Sequence, residues 1–146
     1  MISAPHQIPD HIALSVTLSA TPAAIWHALT LGREAWWSQM HFEPWVGAPL
    51  EESWQLEDGS RYLATGTITL AVPCRRLGFA WTDPGCESAL HVELVLEPAA
   101  HGTLLFLEET GFAALSRGAE LHREHTQGWL GHLGNLERAA AAASPV

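Results

Sequence analysis

The strongest constraint on the fold is a strand-like segment at Gly102–Thr110 that leads into a long amphipathic helix. We predict this helix from about Gly118 to Ala142. Its apolar stripe recurs every three or four residues, through Leu121, His125, Trp129, Leu133, Leu136 and Ala140. A stripe of this length has to be buried, so we expect the helix to lie against the dry face of an antiparallel sheet.

Alternation of apolar and polar residues predicts six strands separated by short turns. They are placed at Ile12–Leu18, Glu52–Leu56, Tyr62–Ala71, Arg75–Trp81, Ser88–Glu97 and Gly102–Thr110.

Two short helices are expected after the first strand. Thr21 and Pro22 mark the start of one, and Trp36 and Trp37 lie on the other, while residues 42–49 are expected to be irregular. The predicted fold class is α+β: a curved six-stranded antiparallel sheet wrapped around the C-terminal helix. Residues 1–146 are expected to form a single domain with its core at about residues 12–140.

The charge balance of the chain argues against several classes of partner. Seven Arg and no Lys face sixteen carboxylates, for a formal charge of −9, which repels phosphate backbones and anionic lipid surfaces. We therefore expect no nucleic acid partner. Neither a long apolar run nor a signal peptide at Met1–His6 is found, so a complete, cytoplasmic protein without membrane insertion is expected. Cys74 and Cys86 match no zinc spacing and are expected to be free thiols.

Several motifs together resemble one known superfamily. They are Ala23–Thr30, Trp36-Trp37, Val46-Gly47, Asp58-Gly59-Ser60, Pro73–Trp81, Gly102–Phe112 and Gly128-Trp129. In this order the chain resembles the START/SRPBCC helix-grip superfamily, and more narrowly the branch named after the activator of heat-shock protein 90 ATPase. The resemblance runs from about Ile12 to Glu137 and implies a central cavity, but not one activity. The chain departs from the branch at Ala48-Pro49-Leu50, where relatives often have a second glycine and an aromatic residue.

Glu109 is the polar residue most informative about a site. Alternation groups it with Leu105 and Leu107 on the core side, and places Leu104, Phe106 and Glu108 on the other side. A buried carboxylate must find donors or rise in pKa. Two interpretations stay open: a residue facing a pocket, or a structural strut tied to an Arg or a Trp N–H. The resemblance implies the first, since relatives often have His or Glu facing the pocket at this position.

The tryptophans are the second indication of a site. Five of them are expected to wall an apolar pocket, with indole N–H groups left to orient a ligand, whereas Trp26 is assigned to plain packing. His125 precedes Trp129 by four residues and shares its helix face. The predicted ligand-binding residues are Trp36, Trp37, Trp54, Trp81, Glu109, His125 and Trp129. His122, His125 and His132 do not form a recognisable metal site, so neither a metal nor a cofactor is expected.

Three functional hypotheses follow from these patterns. The chain has no nucleophile elbow, no phosphate-binding glycine loop and no Lys for a Schiff base, which argues against hydrolase, kinase and aldolase chemistry. The preferred hypothesis is non-enzymatic binding of a small hydrophobic or aromatic ligand between the sheet and the C-terminal helix. The alternatives are a proton-transfer enzyme of the cyclase or dehydratase type using Glu109 or His125, and a chaperone-related interaction domain. Leu104 and Phe106, if they face outward, suit a homodimer contact.

Overall fold

A computed structural model describes residues 9–143 of the chain. In this range seven strands form one antiparallel sheet, ordered β1-β7-β6-β5-β4-β3-β2. The strands are β1 (His11–Leu18), β2 (Met40–Phe42), β3 (Pro49–Gln55), β4 (Arg61–Val72), β5 (Arg76–Thr82), β6 (Leu90–Ala99) and β7 (Gly102–Thr110). The helices are α1 (Pro22–Leu29) and α2 (Gly118–Ala143), with 3-10 turns at Arg33–Ala35 and Phe112–Ala114. The α+β class and the helix-grip arrangement are confirmed.

Two details of the predicted fold are wrong. The sheet of the described residues has seven strands rather than six, because Met40–Phe42 pairs with Leu50–Glu52 of β3. A strand of three residues is too short to show an alternating pattern. The second predicted helix is only a 3-10 turn that ends at Ala35, before Trp36 and Trp37. The segment at residues 42–49, expected to be irregular, contributes its two ends to β2 and β3.

Helix α1 starts where the sequence predicts. The side chain of Thr21 accepts a hydrogen bond from the Ala24 N–H at 3.2 Å, and Pro22 occupies the first turn. Beyond the helix, Arg33 donates from Nε to the Met40 carbonyl at 2.7 Å and from Nη1 to the Thr30 carbonyl at 2.9 Å. Arg33 therefore fastens α1 to β2 and fixes the segment that carries Trp36 and Trp37.

The core lies between the sheet and α2. Along β6, Leu90, Val92, Leu94 and Leu96 are buried and alternate with exposed or half-exposed residues. On α2 the buried residues follow the predicted stripe, and they join the inner face of the sheet in one hydrophobic cluster. Each fully buried large apolar side chain contributes about 1.5–3 kcal/mol, so this interface holds α2 on the sheet. The buried apolar side chains of the helix are Leu121, Trp129, Leu133, Leu136 and Ala140.

Three other expectations concern the cysteines, membrane-spanning helices and the N-terminal segment. Cys74 and Cys86 are free thiols. Among residues 9–143, no helix is both long enough and apolar enough to cross a membrane. The segment Met1–His6, read as lacking a signal peptide, lies outside the described residues.

Candidate functional site

A cleft of about 220 Å³ opens between the sheet and α2. Strands β3 and β5 form one side of it, and the middle of α2 forms the other. The lining residues are Glu52, Trp54, Trp81, Glu124, His125, Gly128, Trp129 and His132.

Strand alternation and helix periodicity bring these residues together. On β3, Leu50 and Glu52 are buried while Glu51 between them is exposed. On α2, five residues line the cleft, and members of this set that are three or four positions apart share one face of the helix; one of the five is Gly128. A Cβ atom added at Gly128 would meet no atom within 4 Å, so the missing side chain leaves part of the cleft open.

Glu109 lies behind the cleft as the most deeply buried acid. Its side chain is 0% exposed, and the inward orientation predicted by alternation is confirmed, while Glu108 is exposed. Oε2 accepts a hydrogen bond from Trp81 Nε1 at 2.7 Å, and Oε1 accepts one from Trp129 Nε1 at 2.8 Å. His125 Nδ1 lies 3.0 Å from Oε1. Three donors thus converge on this carboxylate, which matches the structural strut considered from the sequence.

His125 bridges Glu109 and a second buried acid, Asp83. Its Nε2 lies 2.7 Å from Asp83 Oδ2, so both ring nitrogens face carboxylate oxygens and both act as donors. Burial by itself lowers the pKa of His125, but the hydrogen bonds and charges of Asp83 and Glu109 outweigh it and raise the pKa to about 10. His125 is therefore an imidazolium at neutral pH.

The network continues from Asp83 to Tyr62 on β4. Burial raises the pKa of Asp83, but hydrogen bonds from His125 and Tyr62 and the charge of His125 reverse this and lower the pKa overall. The pKa of the Tyr62 hydroxyl is raised by its burial and by the hydrogen bond that it donates to Asp83. The chain of contacts from Glu109 to Tyr62 ties β7, α2 and the residue after β5 to β4.

Glu52 is the buried acid that faces the cleft itself. It is 7% exposed, and its Oε2 accepts a hydrogen bond from Trp37 Nε1 at 2.8 Å. Burial raises the pKa of Glu52, against the effect of hydrogen bonds from Trp37 and Trp54. This carboxyl group is therefore easier to protonate than an exposed glutamate.

His132 lies beside Glu52 and differs from His125 in charge. Its Nε2 is 3.8 Å from Glu52 Oε2, beyond hydrogen-bond distance. Burial lowers the pKa of His132 to about 4, so the ring is neutral at pH 7. The ring packs against Trp37 with centroids 4.0 Å apart.

The indole rings on this side of the sheet pack against each other. Trp37 contacts Trp129 edge to face with ring centroids 5.5 Å apart, and it contacts Trp81 edge to face at 6.4 Å. Trp81 and Trp129 lie 5.8 Å apart. Such pairs contribute about 0.5–1.5 kcal/mol beyond their buried area. The open space therefore lies beside this cluster, next to Trp54 and Gly128, and not at its centre.

Four of the seven predicted ligand-binding residues line the cleft: Trp54, Trp81, His125 and Trp129. The other three do not. Trp36 packs against Trp37 and donates its N–H to the Ala28 carbonyl at 2.7 Å. Trp37 lies behind Glu52, and Glu109 lies behind the indoles. The expectation that these indole N–H groups stay available to a ligand needs correction, because those of Trp36, Trp37, Trp81 and Trp129 are bonded within the protein.

Three residues of the site were not predicted from the sequence: Glu52, Asp83 and His132. A signal existed for Glu52, which lies two residues from both Leu50 and Trp54 and therefore shares a face of the strand with them. A signal also existed for His132, which is three residues after Trp129 and borders the apolar stripe. Asp83 follows β5 in a turn, where no periodic pattern assigns a side chain to a face.

A second hollow, of about 340 Å³, lies on the opposite face of the sheet. Phe106 lines it and is 39% exposed, so its predicted outward orientation is confirmed. Glu93 also lines it and is paired at the surface with Arg76. Neither hollow contains a metal-binding cluster of three His, Cys, Asp or Glu residues, and none occurs elsewhere in the described part of the chain.

Comparison with solved structures shows similar folds at low identity. A protein from Rhodobacter sphaeroides is 23% identical, with 97% of this chain and 99% of that chain covered and a TM-score of 0.78. A protein from Mesorhizobium loti is also 23% identical, with 92% and 99% covered and a TM-score of 0.76. DynU16, a protein in the dynemicin biosynthetic locus, is 24% identical, with 94% of this chain and 49% of that chain covered and a TM-score of 0.73.

No curated protein matches the chain. A family model does match, over residues 19–141 and therefore over most of the sequence. That family is described as Activator of Hsp90 ATPase homolog 1-like protein. The superfamily resemblance drawn from the motifs is confirmed by this match and by the structural neighbours. The chain belongs to the Activator of Hsp90 ATPase homolog 1-like family.

Proposed function

We propose that this protein binds a small hydrophobic or aromatic molecule in the cleft between the sheet and α2. The observation that carries the proposal is the cleft of about 220 Å³ bordered by Trp54, Trp81 and Trp129. Ligand sites generally combine apolar and aromatic walls with a few polar groups. A space of this size suits a molecule of one or two rings.

The polar network behind the cleft supports a binding role. Glu109 and Asp83 hold His125, and the same Glu109 orients Trp81 and Trp129 through their N–H groups. Two walls of the cleft are thereby fixed before a ligand arrives. A preformed site loses little conformational entropy on binding, which favours affinity.

A thermal-shift screen with one-ring and two-ring aromatic compounds tests the proposal. A ligand present at about 100 times its Kd stabilises the folded state by about 2.7 kcal/mol. For a chain of this length that corresponds to a rise in Tm of roughly 5–10 °C.

Two glycines of α2 provide a matched pair of variants. Gly128 lines the cleft and Gly131 does not, and a Cβ atom at either position meets no atom within 4 Å. We expect Gly128→Leu to fill the cleft and abolish the ligand-induced rise in Tm, and Gly131→Leu to retain it. Absence of any stabilising compound for the unmodified protein, or an undiminished rise in Gly128→Leu, contradicts the proposal.

Proton transfer on a bound molecule is a second candidate function, with different residues from those first considered. Glu109 is 0% exposed and already binds three donors, and both ring nitrogens of His125 are engaged. Glu52 has a raised pKa and lines the cleft beside the neutral ring of His132. A carboxyl group with a raised pKa suits general acid–base work. If a compound is converted, Glu52→Gln should abolish turnover and Glu51→Gln should not.

The remaining expectations stay predictions. A chaperone-related interaction role and a homodimer through Leu104 and Phe106 each require a partner. Size-exclusion chromatography with light scattering measures the oligomeric state directly. A cytoplasmic location also stays a prediction.

A further inference from the structure

The hydrogen-bonding groups left for a ligand in the cleft are mainly acceptors. The indole N–H groups of Trp81 and Trp129 both donate to Glu109, and that of Trp37 donates to Glu52. Both nitrogens of His125 are directed at carboxylates. The carboxylate groups of Glu52 and Glu124 line the cleft and accept hydrogen bonds when ionised, and the neutral ring of His132 has one donor and one acceptor nitrogen. A ligand that carries donors fits this arrangement better than one that carries acceptors.

The charges around the cleft are also unfavourable for an anionic ligand. The cation His125 is already shared between Asp83 and Glu109, so this group of three has one more negative than positive charge. His132 is neutral at pH 7, and no Arg is among the residues that line the cleft in the described part of the chain. Arg117, whose charge reaches Asp83, is paired with Glu120 at 3.0 Å. Among the residues that line the cleft, a carboxylate, phosphate or sulfate on a ligand would therefore find no cation that is not already paired with carboxylates.

The aromatic walls favour a cation as well as a ring. Trp54, Trp81 and Trp129 border the same space as Glu52. Indole rings attract cations through their negative faces, and a carboxylate pairs with an ammonium group by a charge-assisted hydrogen bond. The side chain of Glu52 is 9% exposed, and burial without a cation disfavours its ionised form. A bound cation would restore that form.

We propose that the cleft binds a small aromatic amine in its protonated form, with the ammonium group beside Glu52 and the ring against Trp54, Trp81 and Trp129. This inference rests on the proposed function and adds the chemical class of the ligand. Fatty acids and other anions are poor ligands on this account.

Three probes of nearly equal shape test the charge requirement: 2-phenylethylamine, 2-phenylethanol and phenylacetate. Isothermal titration calorimetry at pH 7 gives a Kd for each with the full-length protein. We expect the amine to bind about tenfold more tightly than the alcohol, and phenylacetate to bind more weakly than both. This ranking is measured on the unmodified protein and does not depend on the folding of any variant.

Two variants then test whether Glu52 supplies the negative charge that binds the amine. Glu52→Gln should weaken the amine about tenfold more than the alcohol, because it removes the charge that pairs with the ammonium group while the amide oxygen can still accept from Trp37. Glu51→Gln removes the same formal charge from an exposed position on the same strand, and should change neither Kd.

Equal affinity for amine and alcohol, or tighter binding of phenylacetate, overturns the charge assignment and leaves the proposed aromatic site standing. An equal loss of amine affinity in Glu51→Gln and Glu52→Gln also overturns it, because the effect is then one of net charge. Absence of binding by all three probes overturns this inference, whereas the proposed function fails only if the wider aromatic screen also finds no ligand.

Discussion

Replacing Glu109 by Gln tests the claim that this carboxylate organises the wall of the cleft. The substitution keeps the shape of the side chain, removes its charge and turns one acceptor oxygen into an NH₂ donor. Trp129 donates to Oε1, Trp81 donates to Oε2, and His125 lies within 3.1 Å of both. Whichever way the amide is turned, its NH₂ group faces an indole N–H and the imidazolium.

The expected cost follows from the interactions that are lost. A hydrogen bond to a charged group contributes about 1.5–3 kcal/mol, and removing one partner of a buried ion pair costs about 3–5 kcal/mol. His125 keeps Asp83 as its remaining partner. We therefore expect the free energy of unfolding to fall by about 3–5 kcal/mol. Domains typically have about 5–15 kcal/mol in total, so the variant should fold with reduced stability.

Equilibrium urea unfolding followed by tryptophan fluorescence measures this loss. Glu108→Gln is the matched control, because Glu108 is the neighbouring residue on the exposed side of β7. We expect it to change stability by no more than about 0.5 kcal/mol. A loss below about 1 kcal/mol in Glu109→Gln, or equal losses in both variants, would refute the reasoning.

The remaining predictions concern α2. Gly128→Ala and Gly131→Ala should each raise the free energy of unfolding by about 1 kcal/mol, because Ala is the better helix former and neither Cβ meets an atom within 4 Å. Urea unfolding measures this change. A loss of stability in either variant would contradict the open space around these two positions. The folded pKa of His125, raised to about 10, makes its contribution to stability complete below the unfolded pKa of about 6.5. That contribution is lost as the pH rises through 10, and nitrogen NMR should find both ring nitrogens protonated at pH 8. Burial lowers the pKa of His132 to about 4, so stability should fall as the pH falls from about 6.5 toward 4. If NMR shows the His132 ring taking up its proton near pH 6.5, the prediction that burial keeps the ring neutral is wrong.

Local patterns predicted much of the fold because they follow from local geometry. Alternation along β7 assigned Glu109 to the core, since successive strand side chains point to opposite faces. The apolar stripe of α2 was recognisable from the spacing of Trp129 and Leu133. The strand Met40–Phe42 was missed because its pairing with β3 depends on a partner, not on its own three residues.

The hydrogen-bond partners of the site residues could not be predicted from local patterns. The donors to Glu109 come from Trp81, 28 residues away, and from Trp129, 20 residues away, so no local pattern joins them. The inward orientation of Glu52 could have been predicted from strand alternation. The predicted strand, however, began at Glu52 and so did not include Leu50, which lies on the same face. Asp83 could be found only once β5 and α2 were placed side by side.

The most direct test of the central claim is an NMR titration of the indole N–H signals with 2-phenylethylamine. Trp54, Trp81 and Trp129 line the cleft, whereas Trp45 is 58% exposed on the loop between β2 and β3 and serves as an internal control. We expect saturable shifts of the three cleft signals, an unmoved Trp45 signal, and loss of the shifts in Gly128→Leu. Saturable shifts confined to Trp45, or shifts of the cleft signals that persist in Gly128→Leu, would contradict the central claim.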